Sequence, residues 1–190
     1  MNNRSILVLS LVIWSFSCVE IATFPDNGSR SITQPEQYFS LIEHRADYKG
    51  ETLRMAGRMV GIEKQEQGFL IIAELMLFPK NPNLRPEFPQ TDKQDTPGRN
   101  RQRFLVYYSE PIAADFLWNG NEFLVFGQFS GTKSLVNMVG ASYAVPHIAA
   151  RCLHVWQTGS ADLKEFTDQP ALGFPYFPPL ERTFCLGIPP

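Results

Sequence analysis

The stretch Asn121 to Gly131, NEFLVFGQFSG, constrains the fold more than any other part of the chain. Phe123, Val125, Gly127 and Phe129 alternate with Leu124, Phe126 and Gln128, a period of two that puts the two sets on opposite faces of a strand. A glycine inside such a strand marks a bend or a close backbone approach. A strand of this kind needs partners, and the rest of the composition limits what they can be. Fifteen Phe and fifteen Pro among 190 residues favour strands and irregular loops over long helices.

Four further strands are expected. Thr52 to Ile62 alternates Leu53, Met55, Gly57 and Met59 with polar or small residues, and Gly57 and Gly61 suggest bulges or bends of the kind found where a sheet curls. After the polar turn Glu63 to Gly68, the apolar run Phe69 to Phe78, broken only by Glu74, reads as an antiparallel partner that ends at Pro79. Phe104 to Tyr108 is a short aromatic strand. Ile148 to Gln157 is the fifth, with Arg151, Leu153 and Val155 on one face and Cys152, His154 and Trp156 on the other.

Two helices are expected beside them. Thr33-Gln34-Pro35-Glu36 fits a capping box with proline in the first turn, and Tyr38, Leu41 and Ile42 follow at helical spacing up to Gly50. Pro111 starts a two-turn helix carrying Ile112, Phe116 and Leu117, and Gly120 ends it. Lys80 to Gln102 has four prolines and no apolar period, and loops of that length are uncommon unless functional or disordered. The tail from Thr158 is rich in Pro and aromatic residues and reads as an extended strap against the domain or a partner-binding segment. Five strands with a helix between the third and fourth match a small Greek-key barrel of the OB type; a flat sheet with one exposed face is the alternative.

The first eighteen residues bear on location rather than fold. Arg4 gives a basic start, and thirteen uncharged, largely apolar residues from Ser5 to Ser17 lead to Cys18. That is the form of a secretory signal and is short for a transmembrane helix, which needs roughly 20 apolar residues. Ser17-Cys18 looks like a bacterial lipoprotein processing site, with Cys18 as the lipidated first residue. Ser15 stands where such a site normally has a branched aliphatic residue, so ordinary signal cleavage and plain secretion are the alternative. The expected plan is a signal over residues 1–17, a tether over 18–32, a barrel domain over 33–157 and a Pro/aromatic tail over 158–190. Loss of Arg4 with the signal leaves 16 basic side chains against 19 acidic ones, not the footprint of a nucleic-acid binder.

Candidate chemistry is sparse. Cys152 and Cys185 can pair in an oxidising compartment; the alternative is a buried Cys152 and an unpaired tail thiol. Arg99, Arg101 and Arg103 project from one side of an extended chain and could meet an anion, such as a lipid headgroup or a cell-wall carboxylate, or simply form a solvated approach to the next strand. Glu74 is read as half of a structural ion pair with an arginine such as Arg58, and as an acid/base group only if it stands alone in a cleft. Phe69, Tyr107 and Tyr108 could stack a ligand on the barrel or pack in its core. His154 and Cys152 share a strand face but fall short of the four ligands of a structural zinc site. No nucleophile elbow, phosphate loop or cofactor motif is present, so neither an enzymatic activity nor a cofactor is expected.

The residues also resemble a family. Tyr48-Lys49-Gly50 followed by Gly57-Arg58-Met59-Val60, then Arg103-Phe104-Leu105, Ser109-Glu110-Pro111, the Gly120/Phe123/Val125/Gly127/Gly131 pattern, and Tyr143, Pro146 and Trp156 occur in the order seen in the Slp, or starvation-lipoprotein, family of bacterial outer-membrane lipoproteins. The resemblance covers roughly Pro35 to Trp156. It implies a protein lipid-anchored at Cys18 to the outer membrane and facing the periplasm, linked to starvation or stress, with no agreed enzymatic activity. Val19 fits that destination, since an aspartate there would block outer-membrane sorting. The expected partners are the membrane, through the anchor, and an envelope protein or glycan. A periplasmic module binding a small anion or glycan is the competing function.

Overall fold

The computed structural model describes residues 29–32, 34–76, 102–137, 139–159 and 179–187. Seven strands run in chain order: β1 Arg30–Ser31, β2 Thr52–Lys64, β3 Phe69–Met76, β4 Arg103–Tyr108, β5 Glu122–Val136, β6 Ser142–Trp156 and β7 Glu181–Cys185. Helices α1 (Pro35–Glu43) and α2 (Arg45–Tyr48) precede β2.

Five strands close on themselves. β2 pairs with β3, β3 with β4, β4 with β6, β6 with β5, and β5 returns to β2. Every pairing around this ring is antiparallel except β4 with β6, which is parallel through Leu105↔His147 to Tyr107↔Ala149. Closure leaves no free edge within the barrel itself. Period-two alternation supplies its interior: Leu53, Met55 and Met59 from β2, Ile71 and Ala73 from β3, Phe104, Val106 and Tyr108 from β4, Phe123, Val125 and Phe129 from β5, and Ile148, Ala150, Leu153 and Val155 from β6 form one buried cluster.

Bulges provide the curvature, near where glycine suggested them. β2 shifts register between Met59 and Gly61, and β5 shifts against β6 at Phe126/Gly127 and again at Phe129/Gly131. Gly127 is required by proximity: a Cβ there would sit 2.3 Å from the Ala149 carbonyl oxygen. At Gly57 a Cβ would lie 2.8 Å from the Phe104 ring, so the absent side chain leaves room for an aromatic inside the barrel.

Other expectations are corrected in detail. The first helix starts one residue later than the proposed box. Gln34 is its N-cap, and the Gln34 N–H donates to Gln37 Oε1 at 3.1 Å; Thr33 of the expected box lies outside the described residues. Between β4 and β5 there is one 3-10 turn, Ala114–Phe116, rather than a two-turn helix. Only Ile112 and Phe116 of that segment are deeply buried, too little apolar surface to hold a longer helix. β5 and β6 run past the expected ends to Val136 and back to Ser142, because exposed, polar-looking positions read as a connection in sequence. Pro146 sits in that added stretch, where β6 has left β4 and pairs only with β5, and proline is tolerated at such an edge.

Two segments outside the expected barrel also form strands. Arg30–Ser31 runs parallel to β2, with Ile32 buried behind it. Glu181–Cys185 from the tail pairs antiparallel with β6, so local proline density did not prevent a strand where five consecutive residues lack proline. β7 lies along β6 just beyond the point where β4 leaves it, and Phe184 enters the core to meet Phe116 with ring centroids 5.5 Å apart. The expected loop at Lys80 to Gln102 and most of the tail lie outside the described residues.

The barrel has two distinguishable ends. At the end where β2 starts, α1 packs Tyr38 and Leu41 into the core, and the Tyr38 hydroxyl donates to the Arg103 carbonyl at 2.7 Å. The turn after Lys64 and the 3-10 segment lie at the other end.

Candidate functional site

The outward face of the sheet carries the chain's most organised polar groups. Strand register places Arg103, Glu74, Arg58, Glu122, Trp156 and Glu181 side by side on β4, β3, β2, β5, β6 and β7. Each is directly opposite the next, and directly opposed side chains on one face lie about 4.5–5.5 Å apart at Cβ. Charge alternates along the first four members. The Arg58 guanidinium donates to Glu122 at 2.6 Å, Arg103 lies 3.9 Å from Glu74, and the Trp156 indole N–H donates to Glu181 at 2.7 Å.

Glu122 has no exposed side-chain surface. A buried carboxylate is costly without a partner, and Arg58 supplies a short charge-assisted bond. Backbone around it is stapled as well. Thr158 Oγ1 accepts from the Glu122 N–H at 3.2 Å and donates to the Gly120 carbonyl at 2.9 Å, while Gly159 N–H donates to Asn121 Oδ1. The chain leaving β6 is thereby fastened to the chain entering β5.

Two parallel rows complete the face. In one, Ala56, Leu124, His154 and Thr183 are successive register partners; in the other, Arg54, Phe126, Cys152 and Cys185 are. His154 Nδ1 is 2.7 Å from Thr183 Oγ1, and its Nε2 is 3.5 Å from Glu181. Burial lowers the His154 pKa, and the Glu181 carboxylate opposes that shift in part. Its ring also meets the Trp156 ring edge-on at 4.4 Å. Cys152 and Cys185 are joined by a disulfide, with Cα atoms 4.1 Å apart, directly across the β6–β7 ladder. Phe126 packs on them in a small cluster of its own.

The residues singled out by sequence fall as follows. Cys18, Arg99 and Arg101 lie outside the described residues. Arg103 opens β4 and faces Glu74. Glu74 stands opposite Arg58 in register, as an ion-pair reading requires; Arg58 donates to Glu122, and Arg103 lies 3.9 Å from Glu74. Glu122 was missed. Its signal was available: it lies at the start of the clearest strand and shares parity with Leu124 and Phe126, an apolar set unusual for a solvent-facing side. The aromatic platform does not assemble. Tyr108 is core, with its phenol pushed up to about 12 mainly by burial, whereas Tyr107 points outward and donates to the Gln67 carbonyl. Cys152 spends its sulfur on Cys185 rather than joining His154 as a ligand, and among the described residues no group of three or more His, Cys, Asp or Glu side chains converges.

Chemically, this face joins strands. Its carboxylates are matched to guanidinium, indole and imidazole groups, which fixes six strands in register from the outside while the apolar interior fixes them from within. A search of curated proteins gives no match. The family model for the outer membrane lipoprotein Slp family matches residues 16–181, from two residues before Cys18 to the first residue of β7. The chain belongs to the outer membrane lipoprotein Slp family.

Proposed function

We propose that this chain is exported, lipidated at Cys18 and held on the periplasmic side of the outer membrane, where its barrel has a non-enzymatic, stress-related role in the envelope. The observation that carries this reading is the family match, which starts upstream of Cys18 and so takes in the cysteine together with the barrel. The disulfide supports it, because bonds of that kind persist in oxidising compartments. One acyl chain gives marginal membrane binding and more than one gives stable anchoring, at roughly 0.8 kcal/mol per buried methylene. The test is fractionation of cells expressing the wild type and Cys18→Ala. The wild type is expected in the outer-membrane fraction and the variant in the soluble periplasmic fraction. Identical partitioning of the two overturns the anchor.

The barrel is read as OB type. Numbering its five strands by themselves, the order around the ring is 1-2-3-5-4 with a parallel 3–5 pairing, which supports that class. OB barrels commonly bind oligonucleotides or sugars, and this keeps a glycan- or anion-binding module as the second reading. Thermal-shift measurements against envelope glycans and phospholipid headgroups test it: a dose-dependent rise in Tm supports a ligand, and a flat response removes it.

A further inference from the structure

The β5–β6 hairpin extends well past the barrel. Beyond Gln128, β5 has no further register with β2, and before His147, β6 has none with β4. Residues from Thr132↔Pro146 to Val136↔Ser142 pair only with one another. At about 3.4 Å per residue this arm runs roughly 17 Å, with Val145 buried at its base. Its tip is a fixed turn: Asn137 Oδ1 accepts from the N–H groups of Val139 and Ala141, and Gly140 takes a positive φ of 80°. That turn holds Val139 at 87% exposure, with Val136 beside it at 67%.

The chemistry of the arm is one-sided. No charged residue occurs in the thirteen positions from Ser134 to Pro146, and no acidic residue occurs between Glu122 and Asp162. Lys133, exposed at the base of the arm, is the nearest charge. An exposed apolar tip above a cationic base suits a lipid surface with anionic headgroups.

Direction supplies the second, independent argument. β1 runs parallel to β2, with Arg30 opposite Leu53, so the chain before Arg30 meets the barrel at the end where β2 begins. Thr52 pairs with Gln128, and the arm leaves from that same end. Ten residues lie between Cys18 and Ser29, and an extended chain across those eleven steps reaches at most about 40 Å. The arm's projection falls within that reach, so anchor and tip can meet one surface together.

We propose that the β5–β6 arm is a second membrane contact, placing Val136 and Val139 in the headgroup region of the leaflet that holds the N-terminal lipid. The inference rests on the Cys18 anchor. It turns a tethered barrel into an oriented one, with the Glu63–Gly68 turn facing away from the membrane.

The test uses the full lipidated chain, purified from cells and reconstituted into vesicles of phosphatidylethanolamine and phosphatidylglycerol. An environment-sensitive dye is attached at Val139→Cys, or at Glu66→Cys at the opposite end, with the Cys152–Cys185 bridge intact. The Val139 label is expected to shift to the blue, brighten several-fold on reconstitution and be quenched by nitroxide-bearing lipid, while the Glu66 label stays accessible to aqueous iodide. If the protein floats with the vesicles but both labels remain equally open to iodide, the arm contact is wrong and the anchor stands. If the purified chain carries no lipid and does not float, the anchor fails and the arm proposal falls with it.

Discussion

At the scale of single residues, the account turns on groups whose neighbours leave little freedom. Gly127→Ala would drive a Cβ into the Ala149 carbonyl at a bulge, and overpacking of that kind costs about 1–3 kcal/mol. Urea unfolding should show that loss with an unchanged m-value. Glu122→Ala removes the buried carboxylate that the Arg58 guanidinium bonds at 2.6 Å, and removing one partner of a buried pair costs about 3 kcal/mol or more. Replacing both, as in Arg58→Leu with Glu122→Leu, should recover much of that loss, and a double-mutant cycle measures it. His147 offers a pH prediction. Burial, helped by Lys133, lowers its pKa from 6.5 to about 4, and its Nε2 finds no hydrogen-bond partner among the described residues. As pH falls the unfolded chain takes up the proton first, so this contribution to stability is complete above about pH 6.5 and is lost progressively toward pH 4. His147→Gln should flatten part of the Tm decline across that window; an unchanged slope would assign the decline elsewhere. Sequence made some of these sites legible and hid others. Gly57 and Gly127 announced themselves by breaking an apolar alternation and Arg58 by keeping its polar parity, whereas the burial of Glu122 depended on which neighbouring strands flank it, a matter of register.

At the scale of elements, β7 is the least expected part and the most testable. It is held by a five-residue ladder, by Phe184 in the core and by the Cys152–Cys185 bridge. The two cysteines are 33 residues apart, and closing a loop of that length is worth about 3–4 kcal/mol on the chain-entropy argument. Cys152→Ser with Cys185→Ser should therefore lower stability by about that amount, and reduction of the wild type should lower Tm to match. Equal stability of oxidised and reduced protein would show that the ladder and Phe184 hold β7 unaided. Barrel strands were readable because period two survives wherever one face is apolar, as in Phe123, Val125 and Phe129. The arm was not, because beyond Gly131 both faces of β5 meet solvent and the apolar period fades. β7 was obscured for a different reason: its pairing with β6 is non-local, and the composition around it argues for loop. The helix expected at Pro111 shrank to one turn because good boundary residues cannot replace an apolar face.

At the scale of the whole molecule, the barrel, the disulfide and the arm acquire direction only through the N-terminus. Ring closure and the outward ladder make a rigid body, and β1 delivers the preceding chain to the end from which the arm projects. Membership of the outer membrane lipoprotein Slp family places that body in the envelope, and the proposed lipid at Cys18 would fix which end meets the bilayer. Intact-mass analysis of the mature protein from cells tests this most directly. The account predicts a chain that begins at Cys18 and carries the added mass of its acyl groups, whereas an unmodified mass, or a chain beginning elsewhere, would contradict it.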